Sequence, residues 1–298
     1  MIYVSGPIAF DTILHCAHFP HPNSAVQVTG VHELFGGSAG NVAACLASLG
    51  ASSSVISAVG EDFPGSPYEK KLLSLGVDTS HVSVVRGMRT SCAVMPVDSS
   101  GDLQSFFYRG ATGAFESLPV PKLALEEGDI IHIATGEPSF NRRLAAAYPG
   151  AGISFDPGYD SPLYSKEDLE SILQRVKTAS MNTRELETAL HTLGKNAATE
   201  LLGYGTETLI ITHGRLGSCV YSGGRHFEVK AYAKARIVDT TGAGDAYRAG
   251  FLAARAKGMP LDKCAKFGSA TASFVIERIG SQEGFPSWEE ARERASEL

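Results

Sequence analysis

The segment Asp239-Thr240-Thr241-Gly242-Ala243-Gly244-Asp245 runs directly into an apolar stretch from Ala246 to Ala256. With those neighbours the loop must turn tightly and open a helix. Glycines let the backbone turn and bring its N–H groups inward, with no Cβ in the way. The first turn of a helix leaves N–H groups unpaired and carries partial positive charge. The N–H groups of Gly242, Ala243 and Gly244 are therefore a candidate anion hole. An acid in such a loop repels the anion it adjoins. Asp245 makes sense there if it faces an attacking hydroxyl and takes its proton, the task of a catalytic aspartate in phosphoryl transfer. An acid at a helix start is also an ordinary cap, so the loop alone leaves both readings open.

A second glycine cluster, Gly36-Gly37-Ser38-Ala39-Gly40-Asn41, leads into the apolar run Val42 to Leu49 and stops at Gly50. Small residues before an apolar helix with a glycine stop describe another loop-to-helix start. Close helix–sheet packing would ask for the same small residues. Asn41, however, is polar on a largely apolar helix, and its amide can both donate to and accept from a ligand hydroxyl. Gly37 would let a ligand approach the backbone.

Between these clusters the pattern changes once. Ile2–Ser5 reads as a buried strand, followed by Gly6-Pro7 and Asp11. Val26–Phe35, Ser91–Val97 and Leu103–Tyr108 are strand-like, the last two forming a hairpin across Asp98-Ser99-Ser100-Gly101. From about residue 128, strands alternate with helices, which implies a parallel sheet covered on both faces. Ser218–Tyr221 and His226–Ala231 look like an antiparallel appendage, and the last third is helical. The expectation is one α/β domain over residues 1–298. It is a doubly wound, mostly parallel sheet with helices on both faces, carrying a small β-sheet lid. Ligands in such sheets lie beyond the strand C-termini, where this reading puts the glycine loops and Asp11.

Composition narrows the partners. Net charge is −6 and no Lys/Arg cluster stands out, which argues against a nucleic-acid surface. No apolar run approaches the 18 or so residues of a membrane span. The N-terminus goes straight into a strand with no secretory leader. The five cysteines are scattered without a C-x-x-C pair, which suits a reducing, cytoplasmic setting.

The pair GGSAGNVAACLASLG (36–50) and DTTGAGDAYRAGFL (239–252) resembles the two hallmark segments of the ribokinase/PfkB family of carbohydrate and nucleoside kinases. Asn182-Thr183-Arg184-Glu185 resembles the family's N-x-x-E, and Thr212-His213-Gly214 with Gly217 its T-x-G-x-x-G. The resemblance runs from Gly6 to about Pro286. It implies an ATP-dependent kinase with a discontinuous lid, drawn from segments around 12–35 and 85–112.

It also implies roles. Asp245 would be the general base and the 242–244 loop the anion hole. Asp11, Gly37 and Asn41 would hold the acceptor, Asp11 by accepting hydrogen bonds from a vicinal diol. Asn182 and Glu185 would arrange Mg²⁺ and phosphates, Glu185 largely through water. Thr212, Gly214 and Gly217 would meet the nucleotide phosphates, and the segment 268–284 would flank adenine. Asp239 and Thr241 would adjoin a monovalent cation such as K⁺. Arg109, after Phe106-Phe107-Tyr108, could reach the phosphoryl group or simply be a solvated lid residue. An exposed lid could pair across a homodimer.

For the acceptor, the sequence leans towards a nucleoside phosphorylated at its primary 5′-hydroxyl. The runs at 245–250 and 279–283 resemble adenosine-kinase-like and nucleoside-kinase members. Gly36 to Asn41 also lacks the lysine of the G-G-K-G-x-N form that many sugar kinases carry. A sugar or sugar-phosphate kinase (ribose, fructose, 2-keto-3-deoxygluconate or fructose 6-phosphate) stays open, because Arg86, Arg89 and Arg109 could bind an acceptor phosphate. So does a non-catalytic ligand-binding or regulatory protein, although intact Asp245, Asn182 and Glu185 argue against it.

Overall fold

The computed structural model describes all residues, 1–298. After β1 (Ile2–Ser5), the chain enters β2 (Ala9–Cys16), β3 (Val28–Gly36), α1 (Ser38–Ser48), β4 (Ser53–Val59), α2 (Pro67–Ser74), β5 (Val82–Val84), β6 (Ser91–Val97) and β7 (Phe106–Tyr108). A regular βα alternation follows: β8 (Ile130–Ile133), α3 (Pro138–Ala147), β9 (Gly152–Phe155), α4 (Lys166–Leu173), β10 (Thr178–Asn182), α5 (Thr183–Leu193) and β11 (Thr208–Thr212). The edge strands β12 (Ser218–Ser222) and β13 (Arg225–Val229) precede α6 (Ala243–Ala256), α7 (Leu261–Val275) and α8 (Trp288–Ser296).

Nine strands form the large sheet in the order β13-β12-β11-β10-β9-β8-β1-β4-β5. All its pairings are parallel except those of β12 and β13, so the antiparallel pair expected as an appendage is one edge of this sheet. Strands buried on both faces read as near-continuous apolar runs, and β4 is buried at every position. One apolar layer packs α1, α6 and α7 on Val4, Val55 and Ile210; the other packs α3, α4 and α5 on Ile131, Phe155 and Ile211. The helices start where the sequence marks them: Ser165 and Ser287 each make a reciprocal cap with the acid three residues on. No helix is long and apolar enough to cross a membrane.

The lid is a four-stranded sheet, β3-β2-β6-β7. Its pieces come from the two regions the sequence indicates, and the β6–β7 hairpin forms as read, but the limits shift. Strand β2 begins at Ala9, ahead of the expected limit at 12, and β5, just before the expected segment 85–112, belongs to the large sheet beside β4. Asp11 therefore sits within a lid strand, not in a turn beyond the end of β1. Gly6 explains the break: at φ +147° it ends β1, and a Cβ there would meet the Thr135 carbonyl oxygen at 2.8 Å. The chain then crosses Pro7 and rises into the lid.

Candidate functional site

The C-terminal ends of the strands, the start of α6 and the inner face of the lid converge on one region. Gly242, at φ +78°, precedes α6, and a Cβ there would lie 2.5 Å from the Ser281 Cβ. Glycine is thus required for both conformation and space. Asp239 braces the loop: its Oδ1 accepts from the Thr241 N–H (2.9 Å) and hydroxyl (2.7 Å), and its Oδ2 from the Gly280 N–H (2.8 Å). The Ala243 N–H turns back to the Thr240 carbonyl at 3.2 Å. The N–H groups of Gly242, Gly244 and Asp245 have no partner within the protein. Of the three amides the sequence offers as an anion hole, those of Gly242 and Gly244 are open to a ligand and that of Ala243 is turned away, while the Asp245 N–H is open as well.

Asp245 is nearly buried, and both its carboxylate oxygens are held. Oδ2 accepts from Asn41 Nδ2 at 2.8 Å, and Oδ1 from Arg248 Nη2 at 2.7 Å. Arg248 is largely covered by the loop, its guanidinium 3.2 Å from where a Gly244 Cβ would be. Its Nε forms an ion-pair contact of 2.7 Å with Asp156, the residue following β9. Burial drives the Asp156 carboxyl up, and Arg248 draws it back. Burial also works against the Arg248 charge, yet Asp156 and Asp245 hold its pKa above the ordinary range. Sequence reasoning passed over Arg248 and Asp156. The signal was there in part: an arginine three positions after an acid on an otherwise apolar helix face needs a buried counter-charge.

Asn41 is locked from its other side. Its Oδ1 accepts from the Ser281 hydroxyl and from Gln282 Nε2, both at 2.9 Å. Gln282 Nε2 also donates to the Tyr68 hydroxyl, which in turn donates to the Gly36 carbonyl. A Cβ on Gly40 would lie 2.0 Å from that hydroxyl, so the small-residue cluster makes room for Tyr68. Ser281 and Gln282 enter the sequence reading only within the 279–283 run, and Tyr68 not at all; nothing in their spacing links them to Asn41.

Asp11 hangs from the lid over Gly36, where a Cβ would meet its Oδ2 at 1.9 Å. Burial pushes its carboxyl up to about 7, with the Ala93 N–H pulling down and Asp245 adding to the rise. No side chain donates to it, so it is free to accept from a ligand. Gly37, at φ +83°, lies beside the Pro7 carbonyl and lines a cavity of about 160 Å³ between lid and body. Phe107 and Arg109 from the lid, and Glu137, Tyr159 and Asp160 from the body, line the same cavity. Arg109 is partly exposed and ion-paired with Asp160. Arg89 lies 3.6 Å from Asp62 and Arg86 is exposed; neither lines this cavity.

A second cavity, about 430 Å³, lies across the Gly242 loop. Thr212, Gly214 and Gly217 line it, together with Ala243, Gly244, Ala272, Ser273 and Ile276. Ala270, considered with Ser273 and Ile276 at helical spacing, faces the core and is fully buried. Tyr232, Ala235 and Ile237, from an irregular segment the sequence left unread, complete the wall. A larger concavity, about 790 Å³, is elsewhere, among Asp129, Gly150, Lys177 and Arg255 at the N-terminal ends of the strands. It holds neither the glycine loops nor Asp245.

A model of the pfkB family of carbohydrate kinases matches residues 2–288. The chain belongs to the pfkB family. The nucleoside kinase of Methanocaldococcus jannaschii is 38% identical over 290 residues, covering 97% of this chain and 94% of that protein. Its counterpart in Methanothermobacter thermautotrophicus is 38% identical over 292 residues, covering 97% and 93%. The crystal structure of the M. jannaschii protein, described as an archaeal member of the ribokinase family, superposes with a TM-score of 0.95 at 37% identity, covering 100% of this chain and 98% of that one. The ribokinase-like fold and family expected from the sequence are thus borne out.

The sequence reading expects two cation sites, and the residues fit them unequally. Asn182 and Glu185 cap α5 reciprocally: Glu185 accepts from the Asn182 N–H and Nδ2, each at 2.7 Å, and donates its own N–H to Asn182 Oδ1 at 2.9 Å. Asn182, the last residue of β10, is exposed, Glu185 is half-buried, and Glu185 adds its field to Asp156 and Arg248. A partly exposed carboxylate with spare lone pairs, in a field set by Asp156 and Asp245, fits a hydrated Mg²⁺. At Asp239 and Thr241, the carboxylate already takes three N–H and O–H donors. Those side chains fit a loop brace better than a cation ligand.

Proposed function

We propose that this pfkB member is an ATP-dependent nucleoside kinase, transferring the γ-phosphoryl group to the primary 5′-hydroxyl of its acceptor. The observation that carries the nucleoside reading is the mouth of the acceptor cavity. Phe107 from the lid and Tyr159 from the body are both substantially exposed and line the same opening. Exposed aromatic faces offer stacking to a planar base. The cavity they line, about 160 Å³, has room for a ribose; Asp11, above Gly36 and next to the lining Gly37, would accept from its hydroxyls. Two nucleoside kinases at 38% identity support the same acceptor class.

In this reading Asp245 takes the proton of the attacking hydroxyl. Asn41 and Arg248 aim its carboxylate, and the unpaired N–H groups at the start of α6 receive the charge that develops on the phosphoryl group. Thr212, Gly214 and Gly217 hold the nucleotide phosphates, and Ala272, Ser273 and Ile276 pack on the adenine. Hydrated Mg²⁺, held near Asn182 and Glu185, would supply charge neutralisation to the phosphates when bound. A monovalent cation beside Asp239 and Thr241 belongs to the family pattern, and no step here depends on it.

The outward lid face carries Val31, Val94, Phe106 and Tyr108, all exposed. An apolar sheet face of this kind supports a homodimer formed lid to lid. Phe106→Asp should then sediment as a monomer. Free cysteines throughout support a cytoplasmic setting.

A coupled ADP-release assay with Mg²⁺-ATP against nucleosides, ribose, fructose, 2-keto-3-deoxygluconate and fructose 6-phosphate tests the assignment. Turnover on nucleosides is expected. Turnover confined to sugars would overturn the acceptor, and none at all would favour a ligand-binding role.

A further inference from the structure

Arg109 is the single cation among the side chains that line the acceptor cavity, and it is already occupied. Asp160, on the turn after β9, pairs with its guanidinium, and the acid is the more buried partner, 11% exposed against 39%. Burial pushes the Asp160 carboxyl up and Arg109 draws it back. The Asp160 N–H is fixed to the Thr135 hydroxyl at 3.2 Å, so the carboxylate is presented from a tethered turn. The other acid on the wall, Glu137, is spent capping α3: it accepts from the N–H groups of Ser139 and Phe140 and from the Ser139 hydroxyl. The wall thus carries one positive and two negative side chains.

We propose that Asp160 is a specificity-determining residue that confines the acceptor to uncharged molecules by holding Arg109. A phosphorylated acceptor needs a cation in this cavity. To obtain the Arg109 charge it must compete with Asp160, weakening the one partner of a poorly hydrated carboxylate and setting a dianion beside it. Taking the counter-charge from a largely buried carboxylate is costly, and like charges at short range add to that cost. A neutral sugar or nucleoside meets neither penalty. The proposal rests on the acceptor assignment above and extends it, because it excludes sugar phosphates and nucleotides as acceptors on the ground of charge.

The test compares the unaltered protein with Asp160→Asn, Asp160→Ser and the double variant Asp160→Asn/Arg109→Gln, with folding followed by circular dichroism. Each is assayed on a nucleoside, on fructose 6-phosphate, and on the nucleoside in the presence of inorganic phosphate. Phosphate should compete weakly with nucleoside in the unaltered protein. It should compete at least tenfold more strongly in one or both Asp160 variants, the gain fading with added salt and vanishing in the double variant. Turnover of fructose 6-phosphate should rise in parallel. Folded Asp160 variants in which phosphate competes no better, or a gain that survives loss of Arg109, would overturn the proposal. Unaltered protein that turns over no nucleoside would strike the nucleoside reading instead, and is measured first.

Discussion

Asn41 donates its side-chain amide to the Asp245 carboxylate across 2.8 Å, joining two residues 204 positions apart. The amide cannot flip without cost, because Ser281 and Gln282 both donate to its oxygen. The donor end is therefore fixed on Asp245, and the two glycine-rich segments meet at a single hydrogen bond. That bond, with the one from Arg248, fixes the orientation of the carboxylate. Asp245→Asn keeps the size of the side chain and removes its basicity. Turnover should fall by roughly 10²–10⁴-fold, while ATP affinity, measured by titration calorimetry, stays near that of the unaltered protein. Unchanged turnover would remove Asp245 as the base.

Asp11 and Gly36 form a steric pair, since a Cβ on Gly36 would lie 1.9 Å from the Asp11 carboxylate oxygen. Gly36→Ala should swing that carboxylate aside and raise the acceptor KM with little change in kcat. In an Asp11→Gly background the same alanine meets nothing there, so its further effect on KM should be small. A double-mutant cycle on KM reads the coupling directly. Additive effects would show that Gly36 matters for some other reason.

The body of the fold and its two loops were legible in the sequence because their signals are local. Apolar runs alternating with helical periods identify a parallel sheet, and glycines next to an apolar helix identify a loop-to-helix start. Asp245, Asn41, Asn182 and Glu185 fall where those signals put them. Arg248–Asp156, Arg109–Asp160 and the Ser281–Gln282–Tyr68 set were not read, for a common reason. Each pairs residues from distant strands and helices, and no spacing along the chain records which carboxylate a given arginine meets. Asp11 was assigned the right neighbourhood on the wrong element, because nothing before Ala9 signals that the chain leaves the body at Gly6.

The carboxyl of Asp11 gives a pH dependence with a defined sign. Burial raises it from 3.8 to about 7 in the folded protein. Only the carboxylate accepts two hydroxyl donors, so acceptor affinity should improve with rising pH, by about tenfold between pH 6 and 8 for a single titration near 7. Stability runs the other way. The folded state holds the Asp11 proton more tightly than the unfolded chain does. The stabilising contribution is complete below about 3.8 and is lost as pH rises through about 7. Asp11→Asn does not titrate. Its melting temperature should gain on that of the unaltered protein from pH 5 to 7 and hold level above. A gap that is constant across this range would contradict the raised pKa.

Arg248 carries the heaviest electrostatic load in the site, because two acids depend on it: Asp156 at 2.7 Å from Nε and Asp245 at 2.7 Å from Nη2. Both acids and the guanidinium are largely hidden from water, so neither charge can be rehydrated if its partner is removed. Arg248→Met retains much of the volume and strands the carboxylates; the expected loss is about 3–5 kcal/mol in urea denaturation. Asp156→Asn in the same chain should return part of that loss, since it removes the acid left without compensation. Activity should not return with it. Asp245 would still lack the donor that aims its Oδ1, and the loop would lack the positive charge beneath Gly244. Stability and turnover therefore separate in the double variant. If stability and kcat both recover, Arg248 only holds the fold; if stability recovers alone, it also positions the base.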